Sequence, residues 1–297
     1  MHTFSGIWIP LVTPFDTQGA IDFKALRGLV RLYAPVVQGL VVCGSTGEAQ
    51  AMNPSERLAV LDAVLEAVAA SGYGTPVAMG VGGSHVPSML EDIGALRTRP
   101  LAGVLVPPPS YARPAQAGIL QFYRDVVACC AQPVVVYTIP YRTGVAIESE
   151  TFAALADIPG IVAVKDCGGS STLTTDLIQQ TSLRILAGED AQLFGSLCLG
   201  GAGGIVAAAH FVPERFVALW RAIEAGRLAE AREGFRALLP LIRLLFSEPN
   251  PAPIKGLLAQ QGLCGANLRA PHVAASSQLV SRLLEVLAEL DPRTAFI

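Results

Sequence analysis

Eight short apolar runs, each followed by a stretch with helical periodicity, constrain the fold of this chain more than any other feature. The runs are rich in β-branched residues and begin at Ile7, Gly39, Pro76, Ala102, Pro133, Gly160, Arg184 and Gly203. They are apolar along their whole length, as parallel strands are when both faces of the sheet are buried. Eight strand–helix repeats predict an α/β fold, the (β/α)8 TIM barrel. An open doubly wound sheet is the alternative, but no GxGxxG follows the first run.

The repeats end near Gly226, and only helical patterns follow them. Three helices are predicted, within residues 227–246, 249–263 and 276–290. We therefore expect a barrel that carries the active site over residues 1–226 and a C-terminal three-helix domain over residues 227–297. Within the barrel, Pro54, Pro114 and Pro213 each mark a helix start, because proline suits the first helical position. Glu56 follows in the first turn, where a carboxylate suits the helix dipole.

Composition and charge exclude several classes of partner. Hydrophobic residues make up 52% of the 297 residues and the net charge is −3, so a large core is expected rather than disorder. Only three of the 21 basic residues are lysines, Lys24, Lys165 and Lys255, and no basic cluster suggests nucleic-acid binding. A compact protein that acts on a small molecule is expected.

The longest stretch without a charged residue covers residues 191–213 and contains five glycines. It predicts a short helix and a short strand rather than a membrane span. The first residues lack a signal-peptide pattern, so a cytoplasmic location is expected. The six cysteines form no CxxC pair and are expected to be buried free thiols. The four histidines have no metal-binding spacing, so no metal site is expected.

Lys165 is the most informative of the polar residues that end predicted strands. It follows the apolar run 160–164, so its side chain should enter the mouth of the barrel, where TIM-barrel enzymes carry out their chemistry. Apolar surroundings favour the neutral amine that attacks a carbonyl carbon. We therefore interpret Lys165 as a Schiff-base nucleophile. The structural alternative is a strand-end lysine that reaches solvent or pairs with Asp166, Glu189 or Asp190.

Other polar residues follow neighbouring strands. Tyr137 ends the fifth strand, at the expected level of the sixth-strand lysine, and can exchange protons during imine formation. Ser45 and Thr46, in the motif GSTGE, lie on a glycine-flanked turn whose amides can bind a carboxylate or phosphate. Arg142 can bind a carboxylate through two hydrogen bonds. Each has a structural alternative. Tyr137 could be an aromatic residue that fills the end of the barrel core, GSTGE an ordinary strand-to-helix turn, and Arg142 a surface arginine in a salt bridge.

The motifs GSTGE, YTIPYRTG and VAVKD resemble the pyruvate-dependent class I aldolases, the dihydrodipicolinate synthase/N-acetylneuraminate lyase family. The resemblance covers essentially the whole chain, including IWIPLVTPFD near its start and LFSEPNPAPIKGLL near its end. It implies a TIM barrel with a C-terminal helical domain, usually a homotetramer, that uses pyruvate without a metal or organic cofactor. It implies that Lys165 forms the imine, that Tyr137 transfers protons, and that Ser45 and Thr46 hold the pyruvate carboxylate.

Within that family, YRTG and EPNP look like the synthases that condense pyruvate with aspartate semialdehyde. This likeness implies that Arg142 binds the carboxylate of aspartate semialdehyde. It also implies that Tyr111 reaches a neighbouring subunit's site and joins Ser45 and Tyr137 in a relay of hydroxyl groups. The expected product belongs to lysine and diaminopimelate biosynthesis.

Substrate-binding roles are also expected for Gly188, which follows the seventh strand, and for Ile205, which lies in the eighth.

The chain departs from the synthase pattern at three positions. Ser45 stands where threonine is usual, Thr138 where asparagine is common, and Cys167 lies two residues beyond the reactive lysine. A pyruvate-forming aldolase or dehydratase of a 2-oxo-3-deoxy sugar acid, sialic acid or hydroxyproline-derived acid therefore stays an alternative. A binding paralogue without turnover is a second one.

Some synthases of this family are inhibited by lysine through histidines, an asparagine and a glutamate. The corresponding positions here are Pro54, Arg57, Ser84 and Ser88. None of these side chains is of the types that form that pocket, so strong feedback inhibition by lysine is not expected.

Overall fold

Strands and helices alternate along the computed structural model, which describes residues 4–290. The strands are β1 (Gly6–Pro10), β2 (Gly39–Val42), β3 (Val77–Gly80), β4 (Gly103–Val106), β5 (Val134–Thr138), β6 (Ile161–Asp166), β7 (Arg184–Ala187) and β8 (Gly203–Ile205). The helices are α1 (Phe23–Tyr33), α2 (Pro54–Ser71), α3 (Val86–Gly94), α4 (Gln116–Cys129), α5 (Pro140–Thr143), α6 (Ser149–Ala156), α7 (Ser171–Gln180), α8 (Leu193–Cys198), α9 (Pro213–Glu224), α10 (Leu228–Leu245), α11 (Ala252–Gln260) and α12 (Ser277–Leu290). Each predicted apolar run contains one strand.

The eight strands form a closed barrel in chain order, β1 to β8. The TIM-barrel prediction is therefore confirmed. Every residue of β1 to β5 is buried, which agrees with strands that are apolar along their whole length. The alternation of strands and helices was the informative signal, because a parallel strand pair needs a crossover helix to return the chain.

The chain divides into two compact units. Among the described residues, the first contains residues 4–6 together with Pro76–Ile205, and the second contains Ile7–Thr75 together with residues 206–290. Strands β3 to β8 belong to the first unit. Helices α10, α11 and α12 belong to the second unit and coincide with the three helices predicted after residue 226. The expected domain boundary at residues 226/227 stays a prediction.

A close approach of two strands in the second unit requires glycine. β1 pairs with β2 in parallel, with Trp8 opposite Gly39. A Cβ atom at Gly39 would lie 2.3 Å from the Trp8 ring, closer than any packed side chain tolerates. The indole of Trp8, which is 1% exposed, therefore occupies the space that a side chain on β2 would need.

The uncharged stretch 191–213 contains α8 and β8, the short helix and short strand that were expected there. Over residues 4–290, no helix combines the length and the apolar composition needed to cross a membrane. All six cysteines are free thiols, as expected. Only Cys43 and Cys167 are buried, while Cys198 is exposed, so the expectation that these thiols are buried is wrong for most of them.

Two of the three proline-marked helices begin where the sequence predicts. α2 starts at Pro54 and α9 at Pro213. α4 instead starts at Gln116, two residues after Pro114, because Ala115 keeps an extended backbone with ψ 162°. The expected start at Pro114 is therefore wrong by two residues, a common uncertainty at helix ends.

The first turn of α2 is held by a capping box and an ion pair. The Asn53 side chain accepts a hydrogen bond from the Glu56 amide at 2.9 Å, and the Asn53 amide donates to the Glu56 carboxylate at 3.0 Å. The Arg269 guanidinium binds both carboxylate oxygens of Glu56, at 2.8 and 2.6 Å. These hydrogen bonds from Arg269 lower the pKa of Glu56 from 4.5 to about 2.

We expect the Glu56–Arg269 pair to stabilise the fold at neutral pH and to lose its effect in acid. A carboxyl group whose pKa is lower in the folded state stabilises that state above its ordinary pKa of 4.5. This contribution disappears as the pH falls from about 4.5 to 2. Because Glu56 is 27% exposed, solvent screening limits the contribution to about 1–2 kcal/mol.

Urea unfolding of the wild type and of Glu56→Gln at pH 7 and pH 3 measures this contribution. The wild type should be the more stable at pH 7, and the difference should shrink at pH 3. Arg227→Gln is the matched control, since it removes an exposed helical ion pair with Glu230 and should change stability by less than about 0.5 kcal/mol. Equal differences at both pH values would contradict the assignment.

Candidate active site

Lys165 and Tyr137 lie side by side at the carboxyl ends of neighbouring strands. β5 and β6 pair in parallel, with Tyr137 opposite Lys165. The Lys165 Nζ atom lies 4.4 Å from the centroid of the Tyr137 ring, within the range of an attraction between an ammonium group and a π face. Both residues are buried, each 7% exposed. The structure thus places them at the same level of the sheet, whereas their catalytic roles stay predictions.

Two carboxylates that could pair with Lys165 bind other partners. Asp166 accepts hydrogen bonds from the Gly168 amide at 2.7 Å and from the Thr174 hydroxyl at 3.0 Å. Glu189 accepts a hydrogen bond from the Tyr141 hydroxyl at 2.7 Å. Burial also raises the pKa of Asp166. The burial of Lys165 disfavours the alternative of a lysine that reaches solvent, and these contacts disfavour its pairing with Asp166 or Glu189.

The Tyr137 hydroxyl is held in its protonated form. Burial raises the pKa of Tyr137 well above 10, the nearby Cys167 and Tyr141 raise it further, and Arg142 opposes the rise. The Cys167 thiol donates to the Tyr137 hydroxyl over a sulfur–oxygen distance of 3.9 Å. Burial likewise raises the pKa of Cys167, to about 12. At neutral pH the end of Lys165 therefore faces a phenol and a thiol that both retain their protons.

Gly188 leaves room beside the end of the Lys165 side chain. Its amide donates to the Asp166 carbonyl at 2.7 Å, which continues the strand pairing past the end of β7. A Cβ atom at Gly188 would lie 2.3 Å from Cys167 Sγ and 3.0 Å from Lys165 Cε. Any side chain would therefore displace one of these two groups. Gly188 thus lies together with Lys165, Tyr137 and Cys167 in one group of residues, the Lys165 cluster. Its contact with substrate stays a prediction.

Arg142 lies on the short helix α5, which follows β5. Its guanidinium carbon is 5.8 Å from the centroid of the Tyr141 ring, and Tyr141 in turn donates to Glu189. Arg142 is exposed, and it is close enough to Tyr137 to affect the pKa of that phenol. An exposed guanidinium near the buried amine and phenol can bind an anionic group of a ligand.

Tyr111 and Ile205 occupy contrasting environments. Tyr111 follows β4 in a left-handed backbone conformation, φ 69°, and is 92% exposed. It is therefore not packed into the Lys165 cluster. Ile205 is the last residue of β8 and is 1% exposed. Nothing in these positions assigns either residue a ligand, so both roles stay predictions.

In the second unit, the GSTGE turn follows β2. Its closing hydrogen bonds run from the Gly47 amide to the Gly44 carbonyl at 3.0 Å and from the Glu48 amide to the Ser45 carbonyl at 3.2 Å. Glu48 adopts a left-handed conformation, φ 52°. The turn itself uses the Gly47 and Glu48 amides as donors. A bound anion could therefore accept hydrogen bonds only from the amides and hydroxyl groups of Ser45 and Thr46. The expected convergence of amides is thus restricted to the first half of the turn.

Two polar residues near this turn, Asn250 and Lys255, were not identified from the sequence as part of its surroundings. Asn250 donates from Nδ2 to the Thr46 hydroxyl at 3.0 Å. Lys255 forms an ion pair with Glu48, and both side chains are fully buried. The motif EPNPAPIK contains Asn250 and Lys255, and Lys255 stands in an apolar run just as Lys165 does. That signal could have identified Lys255 as buried.

The chemistry available at the Lys165 cluster is that of an amine beside a protonated phenol. An amine adds to a carbonyl carbon, and loss of water from the adduct needs a proton donor such as Tyr137. Among residues 4–290, no three histidine, cysteine, aspartate or glutamate side chains lie close enough together to hold a metal ion. The arrangement supports imine formation with a small carbonyl compound.

Comparison with known proteins gives consistent matches over nearly the whole chain. A sequence model described as the dihydrodipicolinate synthetase family matches residues 3–290. The 4-hydroxy-tetrahydrodipicolinate synthase 2 of Clostridium acetobutylicum is 35% identical over 286 residues, which are 95% of this chain and 99% of that protein. The 4-hydroxy-tetrahydrodipicolinate synthase of Sorangium cellulosum is 37% identical over 294 residues and 97% of each chain.

Solved structures agree with these sequence matches. The dihydrodipicolinate synthase of Thermotoga maritima superposes with a TM-score of 0.93 at 33% identity, over 97% of this chain and 99% of that one. A structure described as the first monomeric dihydrodipicolinate synthase variant superposes with a TM-score of 0.93 at 32% identity, over 97% of each chain. Both the fold and the chain length are therefore similar to those of these enzymes.

We expect Cys167 to resist alkylation in the folded protein. With a pKa of about 12, only about one Cys167 thiol in 10⁴ is ionised at pH 8, and the thiolate is the nucleophile. The residue is also 5% exposed. Brief treatment with iodoacetamide at pH 8, followed by peptide mass spectrometry, should leave Cys167 unmodified.

The exposed Cys198 is the internal comparison and should be alkylated first. The same treatment in 8 M urea, about enough to unfold a typical domain, should modify both cysteines at similar rates. Modification of Cys167 as fast as Cys198 in the folded protein would contradict the environment described for Tyr137.

Proposed function

The chain belongs to the dihydrodipicolinate synthetase family, and on this premise we propose that it is a 4-hydroxy-tetrahydrodipicolinate synthase. It would condense pyruvate with L-aspartate 4-semialdehyde, a step of lysine and diaminopimelate biosynthesis. The relatives in Clostridium acetobutylicum and Sorangium cellulosum bear that enzyme's name. The observation that carries the proposal is the pairing of Lys165 with Tyr137 at the ends of β6 and β5.

The first half of the proposed reaction uses the amine and the phenol. Lys165 Nζ adds to the keto carbon of pyruvate and forms a carbinolamine. A proton delivered through the Tyr137 hydroxyl lets the carbinolamine oxygen leave as water, which produces a protonated imine. Burial raises the pKa of Tyr137, so the phenol is in its protonated form at neutral pH, as a proton donor must be.

The second half joins the two substrates. Loss of a methyl proton converts the imine to an enamine, whose terminal carbon adds to the aldehyde carbon of aspartate semialdehyde. The aldehyde oxygen takes up a proton and becomes a hydroxyl group. The amine of the second substrate then attacks the imine carbon, closes the ring and displaces Lys165. The imine nitrogen accepts the electron pair during enamine formation, so the lysine itself supplies the electron sink.

Three groups are proposed to bind the carboxylates of the two substrates. Ser45 and Thr46 would bind the pyruvate carboxylate, which suits hydroxyl groups in the half of the turn that its own hydrogen bonds leave unused. Arg142 would bind the carboxylate of aspartate semialdehyde through its guanidinium. Gly188 and Ile205 would contact pyruvate, with Gly188 providing the space beside Lys165.

We further propose a homotetramer in which Tyr111 reaches a neighbouring subunit and joins the hydroxyl relay of Ser45 and Tyr137. The 92% exposure of Tyr111 supports this role, since an exposed tyrosine is free to pack against another chain. Light scattering coupled to size exclusion would distinguish the tetramer from a monomer such as the structural relative. A cytoplasmic location and the absence of strong feedback inhibition by lysine also stay predictions.

We expect Lys165→Ala to abolish both turnover and covalent trapping of pyruvate. Borohydride reduces an imine to a stable amine, so wild-type protein incubated with pyruvate and borohydride should carry one adduct, on Lys165. Loss of the nucleophile should reduce turnover at least about 10³-fold. Lys24→Ala is the matched control, because Lys24 is an exposed lysine on α1.

Peptide mass spectrometry locates the adduct. Full activity of Lys165→Ala, or an adduct on another lysine in the wild type, would refute the mechanism. A wild-type protein that binds pyruvate without forming an adduct would instead indicate a binding paralogue without turnover.

We expect Arg142→Ala to separate the two substrates. The KM for aspartate semialdehyde should rise at least about tenfold, because a charge-assisted hydrogen bond to its carboxylate is lost. Pyruvate trapping should be unchanged. Arg124→Ala, which removes an exposed arginine on α4, is the control. An unchanged KM for aspartate semialdehyde would contradict the role of Arg142. A wild type that does not turn over aspartate semialdehyde, while wild type and Arg142→Ala turn over 2-oxo-3-deoxy sugar acids equally in a coupled assay, would favour a sugar-acid aldolase.

A further inference from the structure

The second unit contains a buried ion pair that the proposed chemistry does not use. Lys255, on α11, pairs with Glu48, and neither side chain is exposed. The Lys255 Nζ atom also donates to the Asn267 carbonyl at 2.9 Å and lies 4.2 Å from the centroid of the Phe15 ring. Burial lowers the pKa of Lys255, and the Glu48 carboxylate opposes that shift. The pair is thus enclosed by the protein on all sides.

Such a pair is not explained by stability alone. Removing two charges from water costs about as much as their attraction returns, and apolar replacements are often neutral or stabilising. What the pair does define is geometry, because each charge has a small set of partners. Glu48 needs that definition, since it holds a left-handed backbone, φ 52°, that residues other than glycine rarely adopt.

Glu48 is also the residue that closes the GSTGE turn. Its amide donates to the Ser45 carbonyl, while its carboxylate binds Lys255 and accepts a hydrogen bond from the Arg269 amide at 3.0 Å. A shift of the Glu48 side chain would therefore move the backbone of Ser45. The turn is thus anchored at its end by α11 and the segment that follows it.

A second contact anchors the middle of the turn. Asn250, two residues before α11, donates from Nδ2 to the Thr46 hydroxyl at 3.0 Å. A hydroxyl group has one proton to donate and two lone pairs that accept. Because the Thr46 oxygen already accepts from Asn250, its own proton stays available for another acceptor. A substrate carboxylate is an acceptor of that kind.

We propose that Lys255 and Asn250 are positioning residues, which hold residues 44–48 so that Ser45 and Thr46 present their hydroxyl groups to the carboxylate of pyruvate. This inference rests on the proposed function, because it takes pyruvate as the ligand of the turn. The region around α11 thereby contributes to substrate affinity without touching the substrate.

The test separates positioning from stability with a charge-neutral pair. Lys255→Met alone leaves the Glu48 charge buried without a partner and should destabilise the fold. The double variant Lys255→Met/Glu48→Gln removes both charges, and its urea midpoint should return close to that of the wild type. Half-saturation by pyruvate, measured by borohydride trapping, should still rise at least about tenfold, since small misplacements of binding groups have large effects.

The kinetic pattern distinguishes a positioning role from a general loss of structure. In the double variant, kcat at saturating pyruvate and the KM for aspartate semialdehyde should each stay within about threefold of the wild type. Arg227→Gln, which removes the exposed ion pair with Glu230, should change neither stability nor half-saturation. A folded double variant with wild-type half-saturation would overturn the proposal for Lys255.

Asn250→Ala keeps the proposal testable if the double variant does not fold. It removes one hydrogen bond to Thr46 and no charge, and half-saturation by pyruvate should rise about three- to tenfold with kcat unchanged. Unaltered half-saturation would overturn the proposal. Failure of the wild type to be trapped by pyruvate is a different result, because it would refute the proposed function itself.

Discussion

The parallel pairing of β5 with β6 is the interaction on which the candidate active site depends. Backbone hydrogen bonds between these strands set Tyr137 opposite Lys165, so the amine and the phenol meet without any direct bond between their side chains. A shift of one residue in this register would turn one of the two side chains to the other face of the sheet. The chemistry proposed for the pair is therefore secured by backbone geometry.

The residues around this pair determine which groups are protonated and how much space lies beside the Lys165 amine. Burial keeps the Tyr137 hydroxyl and the Cys167 thiol protonated, so the cluster contains proton donors rather than competing anions. Gly188 has no side chain, and the space that it leaves is bordered by the ends of Lys165 and Cys167. A small ligand can approach the amine only where no protein atom is in the way.

Two of the ion pairs in the second unit lie in different settings. Arg269 and Glu56 are partly exposed, and their pairing adds pH-dependent stability to the start of α2. Lys255 and Glu48 are fully buried, where desolvation offsets most of their attraction. The partly exposed pair joins the first turn of α2 to residue 269, and the buried pair joins the GSTGE turn to α11.

The amino-acid sequence by itself determined the fold class and singled out Lys165 as the candidate nucleophile. Eight apolar runs with helical stretches between them admit few arrangements other than a closed parallel barrel, and Lys165 stands out as a lysine at the end of such a run. Local patterns of this kind are legible because secondary structure depends on near neighbours along the chain. Lys255 also stands in an apolar run, and this pattern indicates its burial. Its partner could not be predicted from the sequence spacing, because Glu48 lies more than 200 residues away.

Only the tertiary structure decided which distant groups meet. It brings Asn250 into a hydrogen bond with Thr46 and the Cys167 thiol into one with the Tyr137 hydroxyl. It also creates the close contacts that restrict position 188 to glycine. It also left Tyr111 exposed and showed that most of the cysteines are not buried. Contacts between residues far apart in sequence depend on how whole elements pack, and packing is set by the sum of many weak interactions that no short motif contains.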